Sequence, residues 1–371
     1  MNKFSYLISR FVKVLTRIKQ FVFFDESRVV YNGKTYKSYW ENLNGNARYS
    51  PFSRFIVKAE ARRAFLEGGF RPDEFFLYGL VHKNKEIRKM YLSQKMKDRY
   101  LISFYGSGWR EVFSILKDKY VFYTHLKDFF NREVTYIKDE EDRLPFLSFC
   151  NRHHQIFAKQ NRGNCGIGAK SFLISDEEQA NAIFDELVSS GEWIIEELIK
   201  QNALISTFNS SSINTVRFPS FKRKGVVECV FPCMRFGRSG SIVDNAGQGG
   251  VFVSVDQYSG EIISDAFDER GNVFVSHPDS GIPFRGFHVP QWENLLESVK
   301  KAHLALPDNQ VYVAFDFALS DQGWCIVEGN WGDWILQQIS LQRGFRNEFV
   351  SLLQGRNESF DVICDDEFKA L

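Results

Sequence analysis

Two apolar runs near the C-terminus, VYVAFDFAL (311–319) and WCIVEGN (324–330), flank Asp321-Gln322-Gly323 and constrain the fold more than any other stretch. A three-residue loop ending in glycine is a common hairpin connection. With Ser320 and Trp324 flanking that loop, Asp316 falls directly opposite Glu328, and strand alternation puts Asn330 on the face of Glu328. Two facing carboxylates on otherwise apolar strands repel each other and are costly to bury unless a cation neutralises them. Oxygen ligands of this kind suit magnesium, which is usually held by one or two carboxylates plus substrate phosphates. The pattern reads equally well as a strand end meeting solvent, with Gly329-Asn330 in a turn. On the metal reading, Asp316→Asn or Glu328→Gln is expected to abolish turnover and leave the fold intact, because either change relieves repulsion.

The rest of the chain is organised in two textures. Residues 1–105 read as a helical region: 53–67 and 83–97 have helical spacing, Gly68-Gly69 stops the first, and Arg71-Pro72-Asp73 starts another. From 106 to 371 strands and helices mix without a regular βαβ alternation, which predicts α+β layers. Helices are expected around 110–131, 176–190 and 291–305. Strands are expected at 134–137, 155–159, 192–199, 213–222, 226–236 and 250–256. The 47 basic and 46 acidic side chains nearly cancel, so an electrostatically driven nucleic-acid binder is excluded. The six cysteines form no CxxC pair, which fits reduced, buried thiols. Residues 1–24 carry five basic side chains among apolar residues at helical spacing. That pattern makes a basic amphipathic helix, which could pack on a domain or lie weakly on an anionic membrane surface.

Three further segments carry chemistry. FAKQNRGNCGIGAKSFLI (157–174) sets Lys159 on a strand before Gly163, Gly166 and Gly168. Glycines let backbone amides approach phosphate oxygens, and the lysine supplies charge, although a bare glycine hairpin has the same pattern. EWIIEELIKQN (192–202) runs a strand into Glu196-Glu197 and Ile199, whose edge could present backbone groups to a planar base. SINTVRF (212–218) and CMRFGRSGSIVDNAGQGG (233–250) put Arg217 and Arg235 in strand-like runs, where a buried guanidinium needs an anionic partner. Asp244-Asn245 before Gly249-Gly250 reads either as a polar turn or as donors beside a reacting carboxyl group.

In this order these pieces resemble the ATP-grasp fold, and within it the sugar-transfer-associated branch. The resemblance rests on Lys119 in LKDKYVFY, Lys159 with its loop, IIEELI, SINTVR, MRFGRSGSIVDNAGQGG, and FDFAL followed by VEGNWGDW. It covers about residues 105–355, and Gln160 stands where many members carry proline after the lysine. It implies two α+β subdomains clasping ATP. Lys119 and Lys159 would hold the α- and β-phosphates, with Gly166 and Gly168 closing over them. Glu196, Glu197 and the Ile199 backbone would meet the adenine edge. Asp316, Glu328 and Asn330 would hold two Mg2+ ions. Arg235 would stabilise charge on an acyl phosphate, with Asn245 nearby and Arg217 near the phosphates or acceptor.

The activity this implies is an ATP- and magnesium-dependent carboxylate–amine ligase. It would join an amino acid or amine to a sugar acid, such as a uronic acid of capsule or surface polysaccharide. The expected place is the cytoplasm, peripheral at the inner membrane face. Two alternatives stand beside it: a kinase of the same fold acting on a sugar hydroxyl, and a nucleotide-binding scaffold of polysaccharide assembly.

Overall fold

The side chains that alternate along VYVAFDFAL divide a large sheet into one apolar and one charged face, and the rest of the fold follows from that division. The structure, a computed structural model, describes residues 24–27, 30–31, 34–41, 50–163, 168–238, 240–241, 243–331 and 334–355. The expected amphipathic helix at 1–24, except for its last residue, lies outside them, as do Gly166, Cys165 and Cys364. Cys150, Cys229, Cys233 and Cys325 are free thiols. Among the described residues no helix is long and apolar enough to cross a membrane.

The chain divides into two compact units. The first draws on residues up to 104, on 269–272 and on the segment from 341 onward. It holds a short antiparallel pair, β1 (Val30–Tyr31) and β2 (Lys34–Thr35), then α1 (Tyr36–Glu41), α2 (Pro51–Gly68), α3 (Pro72–Leu77), α4 (Lys85–Lys89) and α5 (Gln94–Tyr105). A last helix spans Arg346–Gln354. Ser50 caps α2 by accepting from the Ser53 amide, and Gly69 closes it at φ 70°. The single helix expected at 83–97 is two. The segment between them buries Tyr91 and Leu92, and the Ser93 hydroxyl accepts from the Met96 amide while donating to the Gly68 carbonyl at 2.6 Å. Burial of two large side chains outweighs continued helix propensity there.

The second unit comprises residues 105–268 and 273–340. It opens with α6 (Trp109–Lys117) and α7 (Lys119–Leu126), one helix in the sequence reading. Asp118 breaks it with extended backbone and caps α7 through the Val121 amide. A four-stranded antiparallel sheet follows, in the order β3 (Val134–Ile137), β6 (Trp193–Glu197), β4 (Gln155–Gln160), β5 (Lys170–Leu173). The helices α8 (Arg143–Arg152) and α9 (Glu177–Ser189) bury Phe146, Phe149, Phe184 and Leu187 in one core with this sheet's Ile156, Trp193 and Ile195.

The eight-stranded sheet is antiparallel throughout. Its strands are β7 (Thr215–Arg223), β8 (Val226–Cys229), β9 (Cys233–Phe236), β10 (Val251–Ser254), β11 (Ala266–Phe267), β12 (Val273–Phe274), β13 (Tyr312–Ser320) and β14 (Gly323–Asn330). Their order is β12-β11-β10-β9-β7-β13-β14, with β8 on β7. Val313, Phe315, Phe317, Val216 and Phe218 pack against α10 (Trp292–Ala305) in the main core. Asp316, Arg217 and Arg235 point to the opposite face, because side chains alternate along a strand. The short α11 (Ile335–Ser340) follows β14. The class is therefore α+β.

On the inner face of α10 sits a fully buried His303, whose Nε2 is 2.8 Å from the Gln310 carbonyl and Nδ1 2.8 Å from the Ser220 hydroxyl. Burial holds its pKa down at about 4 against 6.5 in the unfolded chain. Below pH 6.5 the unfolded chain takes up a proton that the folded protein refuses until about pH 4. Stability is thus retained above pH 6.5 and falls by about 3 kcal/mol as pH drops to 4. Denaturant unfolding at pH 7 and pH 4.5 checks this. His303→Gln should lose less stability on acidification than wild type, and equal losses would contradict the assignment.

Candidate functional site

Register brings the predicted carboxylates together, though by a different route from the one expected. The β13–β14 turn is tighter than a three-residue loop, with Ser320 paired to Gly323 and Leu319 to Trp324. A bulge then inserts Val327, since Phe317 pairs with Ile326 but Asp316 with Glu328. The two offsets cancel, and Asp316 faces Glu328.

On its other side Asp316 pairs in register with Arg217 of β7, so Arg217, Asp316 and Glu328 form one row across three adjacent strands. Arg217 grips Asp316 with Nε to Oδ1 and a terminal nitrogen to Oδ2, both at 2.8 Å. Arg235 of β9, opposite Thr215, reaches the same Oδ2 at 3.0 Å and Asp244 at 3.1 Å. Asn330 donates to Asp316 at 3.2 Å and to Glu328 at 3.3 Å. The facing acids are thus neutralised in part by two arginines, so their burial does not by itself demand a metal, contrary to the sequence argument. Burial alone would raise the pKa of Asp316, but Arg217 and Arg235 outweigh it and hold it at about 2. Glu328 is pushed above the usual carboxylate range by burial and by the Asp316 charge. This asymmetry leaves Glu328 as the carboxylate with spare coordination. Glu328 and the Asn330 amide oxygen are hard donors at the cavity that fit a magnesium ion completed by phosphate oxygens, whereas both oxygens of the third expected ligand, Asp316, are taken by Arg217 and Arg235. Among the described residues no three His, Cys, Asp or Glu side chains form a metal group on their own.

A second ionic cluster sits on the smaller sheet. Lys159 of β4 contacts both Glu196 oxygens at 3.0 Å, and Arg132 reaches the same carboxylate at 2.8 Å. Arg132 also donates to the Ile326 carbonyl at 2.7 Å, tying this cluster to β14. Burial opposes ionisation of Glu196, but Arg132 and Lys159 win and lower its pKa. Its carboxylate is therefore committed to two cations rather than turned to a base edge. Glu197 accepts from the Glu133 amide at 3.2 Å. Lys119, at the start of α7, donates to the Gln160 and Gly163 carbonyls. Burial and the nearby Lys159 depress its pKa against the pull of Glu328 and Glu196.

A cavity of about 320 Å³ unites most of these groups. Its lining includes Lys119, Lys159, Glu196, Glu197, Ile199, Arg235, Asp244, Asn245 and Glu328. A second cavity of about 220 Å³ shares Lys119, Glu196 and Glu328 and adds Asn330. Arg217 and Asp316 lie behind these walls, and Gly168, at φ 79°, precedes the lining residue Ala169. Asn245 spends its side-chain oxygen on the Gly247 amide, shaping the turn that carries Asp244. Sequence reasoning missed Arg132 altogether, an isolated arginine with no motif around it. It also left Asp244 as turn material, although its carboxylate accepts from Thr215 and pairs with Arg235.

Gly250 closes that turn. A Cβ there would lie 2.4 Å from the Asp244 carbonyl oxygen. Gly250→Ala is expected to cost about 1–3 kcal/mol and to disturb the Asp244–Arg235 pair. Thermal unfolding checks this, and a variant that melts with wild type would contradict it.

The family model described as sugar-transfer associated ATP-grasp matches residues 156–352, just over half of the chain. The chain belongs to this ATP-grasp family. The matched span contains every charged side chain of the two ionic clusters and the larger cavity except Lys119 and Arg132. No curated protein matches the chain by sequence. Among solved structures it is similar to D-alanyl-alanine synthetase A from Vibrio cholerae, at 13% identity and TM-score 0.41, covering 66% of each chain. It is also similar to N5-carboxyaminoimidazole synthase from Aspergillus clavatus, at 9% identity and TM-score 0.36, covering 60% of this chain and 45% of that one. The VanG D-Ala:D-Ser ligase from Enterococcus faecalis matches at 11% identity and TM-score 0.41, over 65% of this chain and 62% of that one. The chain spans two thirds or less of the length of these proteins.

Proposed function

We propose that this ATP-grasp protein is an ATP- and magnesium-dependent carboxylate–amine ligase acting on a sugar acid. The observation that carries the reading is the row Arg217–Asp316–Glu328, completed by Asn330 and backing a cavity that Lys119 and Lys159 also line. Cations from two sheets and spare carboxylate oxygens around one cavity are what a magnesium–triphosphate needs, and phosphoryl transfer asks the protein chiefly to position groups and neutralise charge.

On this reading Lys119 and Lys159 bind the α- and β-phosphates, and Gly166 and Gly168 belong to the loop over them. Glu196 acts as a positioning residue that keeps Lys159 extended, while Glu197 and the Ile199 backbone border the base. Glu328 and Asn330 would hold magnesium, with Asp316 joining them if it gives up an arginine contact, and the ion would supply charge that screens the phosphates. The substrate carboxylate attacks the γ-phosphorus, ADP leaves, and an acyl phosphate forms. Arg235 steadies the charge on that intermediate beside Asn245, with Arg217 holding Asp316 in place. An amine then attacks the acyl carbon, expelling inorganic phosphate and losing a proton to give the amide. The sugar-transfer association of the family supports a uronic acid of a surface polysaccharide as the acid, in the cytoplasm. Rather than the contiguous 106–371 expected from sequence, residues 105–268 and 273–340 would form the catalytic domain, the other unit an appendage, and residues 1–24 a weak contact with the membrane surface.

A phosphate-release assay with ATP and magnesium, screening uronic acids and their oligosaccharides against pooled amino acids, tests the proposal. Phosphate release that requires one acid and one amine supports it. ADP without free phosphate would replace it with the kinase. Nucleotide binding without turnover across the panel would replace it with the scaffold.

A further inference from the structure

Helix α6 carries a charged and aromatic face that the nucleotide site does not use. Val112 and Leu116 turn inward, whereas Arg110 and Lys117 are exposed and Trp109 and Phe113 half-buried. Arg110 lies 4.7 Å from the Trp109 ring centre, and Lys117 lies 5.8 Å from that of Phe113. Among the described residues neither cation has an acidic partner or a hydrogen bond. Exposed cations usually find a carboxylate or leave the surface for water; here both rest on rings, with their donors unspent.

The face continues toward the carboxylate row. Phe113 meets Trp331 edge-on at 5.1 Å, and Trp331 directly follows Asn330. Lys117 and Asn330 line the same 220 Å³ cavity, together with Leu116 and Glu328. Positions 110, 113 and 117 share one side of the helix, and seven residues advance it by about 10 Å. That spacing is close to two pyranose rings of an extended chain. A sugar ring offers a flat C–H face to an aromatic side chain and, when it is a uronate, a carboxylate at its edge. A neutral glycan would leave both cations unpaired, and a flexible polyanion without rings would leave the aromatic groups unused.

We infer that the Trp109–Lys117 face, continued by Trp331, binds an extended anionic glycan, with rings against the aromatic side chains and carboxylates on Arg110 and Lys117. The inference rests on the ligase reading for what happens to the bound chain, and it makes the acid substrate a polymer rather than a free sugar acid. The chain would lie along α6 and deliver one carboxylate toward the cavity shared by Lys117, Asn330 and Glu328.

The test is calorimetric and tryptophan-fluorescence titration of the full chain, without nucleotide. The probes are oligogalacturonate, its monomer, a neutral oligosaccharide of matched length and single-stranded DNA of matched charge. Saturable binding of oligogalacturonate alone is expected. Trp109→Ala, and the pair Arg110→Ala with Lys117→Ala, should each weaken it about tenfold or more, while Trp109→Tyr keeps it within a few-fold. Unchanged melting temperatures exclude unfolding as the cause. No saturable binding, equal affinity in the variants, or equal binding of DNA would each overturn the inference. Phosphate release from a monomeric acid and an amine without oligomer binding would refute this surface and leave the ligase standing. Oligomer binding with a silent phosphate assay would do the reverse.

Discussion

Asp316→Asn is expected to cost about 3–5 kcal/mol of folding stability as well as activity. The sequence alone argued for an intact fold, because two facing acids repel. The structure reverses the sign for this residue. Asp316 is fully buried and is the shared anion of two arginines, gripped at both oxygens by Arg217 and reached at 3.0 Å by Arg235. An asparagine keeps the shape and some hydrogen bonding but removes the charge that offsets two buried guanidinium groups. Arg235 retains Asp244, whereas the next acid for Arg217 is Glu328 at 3.9 Å. Chemical denaturation of the variant checks this, and a midpoint equal to that of wild type would contradict it.

Glu328→Gln should do the opposite. Its carboxylate is more open than that of Asp316, and its side-chain bonds run to Asn330 and Asp316; a glutamine can accept from the first through its oxygen and donate to the second through its amide. Burial and the Asp316 charge already disfavour its ionised form, so loss of that charge leaves stability unchanged within about 0.5 kcal/mol. Turnover should fall about 10²–10³-fold, because the variant removes the carboxylate with oxygen free to meet a cation. The raised pKa also sets a direction: magnesium must displace a proton from Glu328, so the magnesium requirement should ease as pH rises through that pKa. In Glu328→Gln that pH dependence should vanish. Titration of magnesium at several pH values reads both effects, and an unchanged turnover in the variant would remove Glu328 from the site.

The contrast shows what a sequence can carry. The strand pair and its facing acids were legible because alternation and turn length are local. Even there the geometry came right through compensation, a shorter turn offset by an extra residue at Val327. What decides the role of Asp316 was not legible, since Arg217 lies 99 residues earlier and Arg235 enters from another strand. Glu196 has the same lesson. Its place at the end of an apolar strand was clear, but Arg132 and Lys159, 64 and 37 residues away, fix what its carboxylate does. The helix break before Ser93 was hidden for a related reason, since burial of Tyr91 and Leu92 overrides good helical spacing, whereas at Asp118 extended backbone and a new cap on the Val121 amide make the break. Gly166 and the basic segment before Phe24 lie outside the described residues, so their expectations stand as proposals.

The most direct measurement is calorimetric titration of ATP into the wild-type protein and Glu328→Gln, each with and without magnesium. The expected result is saturable ATP binding that magnesium strengthens in wild type, with that gain lost in Glu328→Gln while weaker, magnesium-free binding through Lys119 and Lys159 persists. ATP binding indifferent to magnesium in both proteins, or no ATP binding at all, would contradict the assignment of this site.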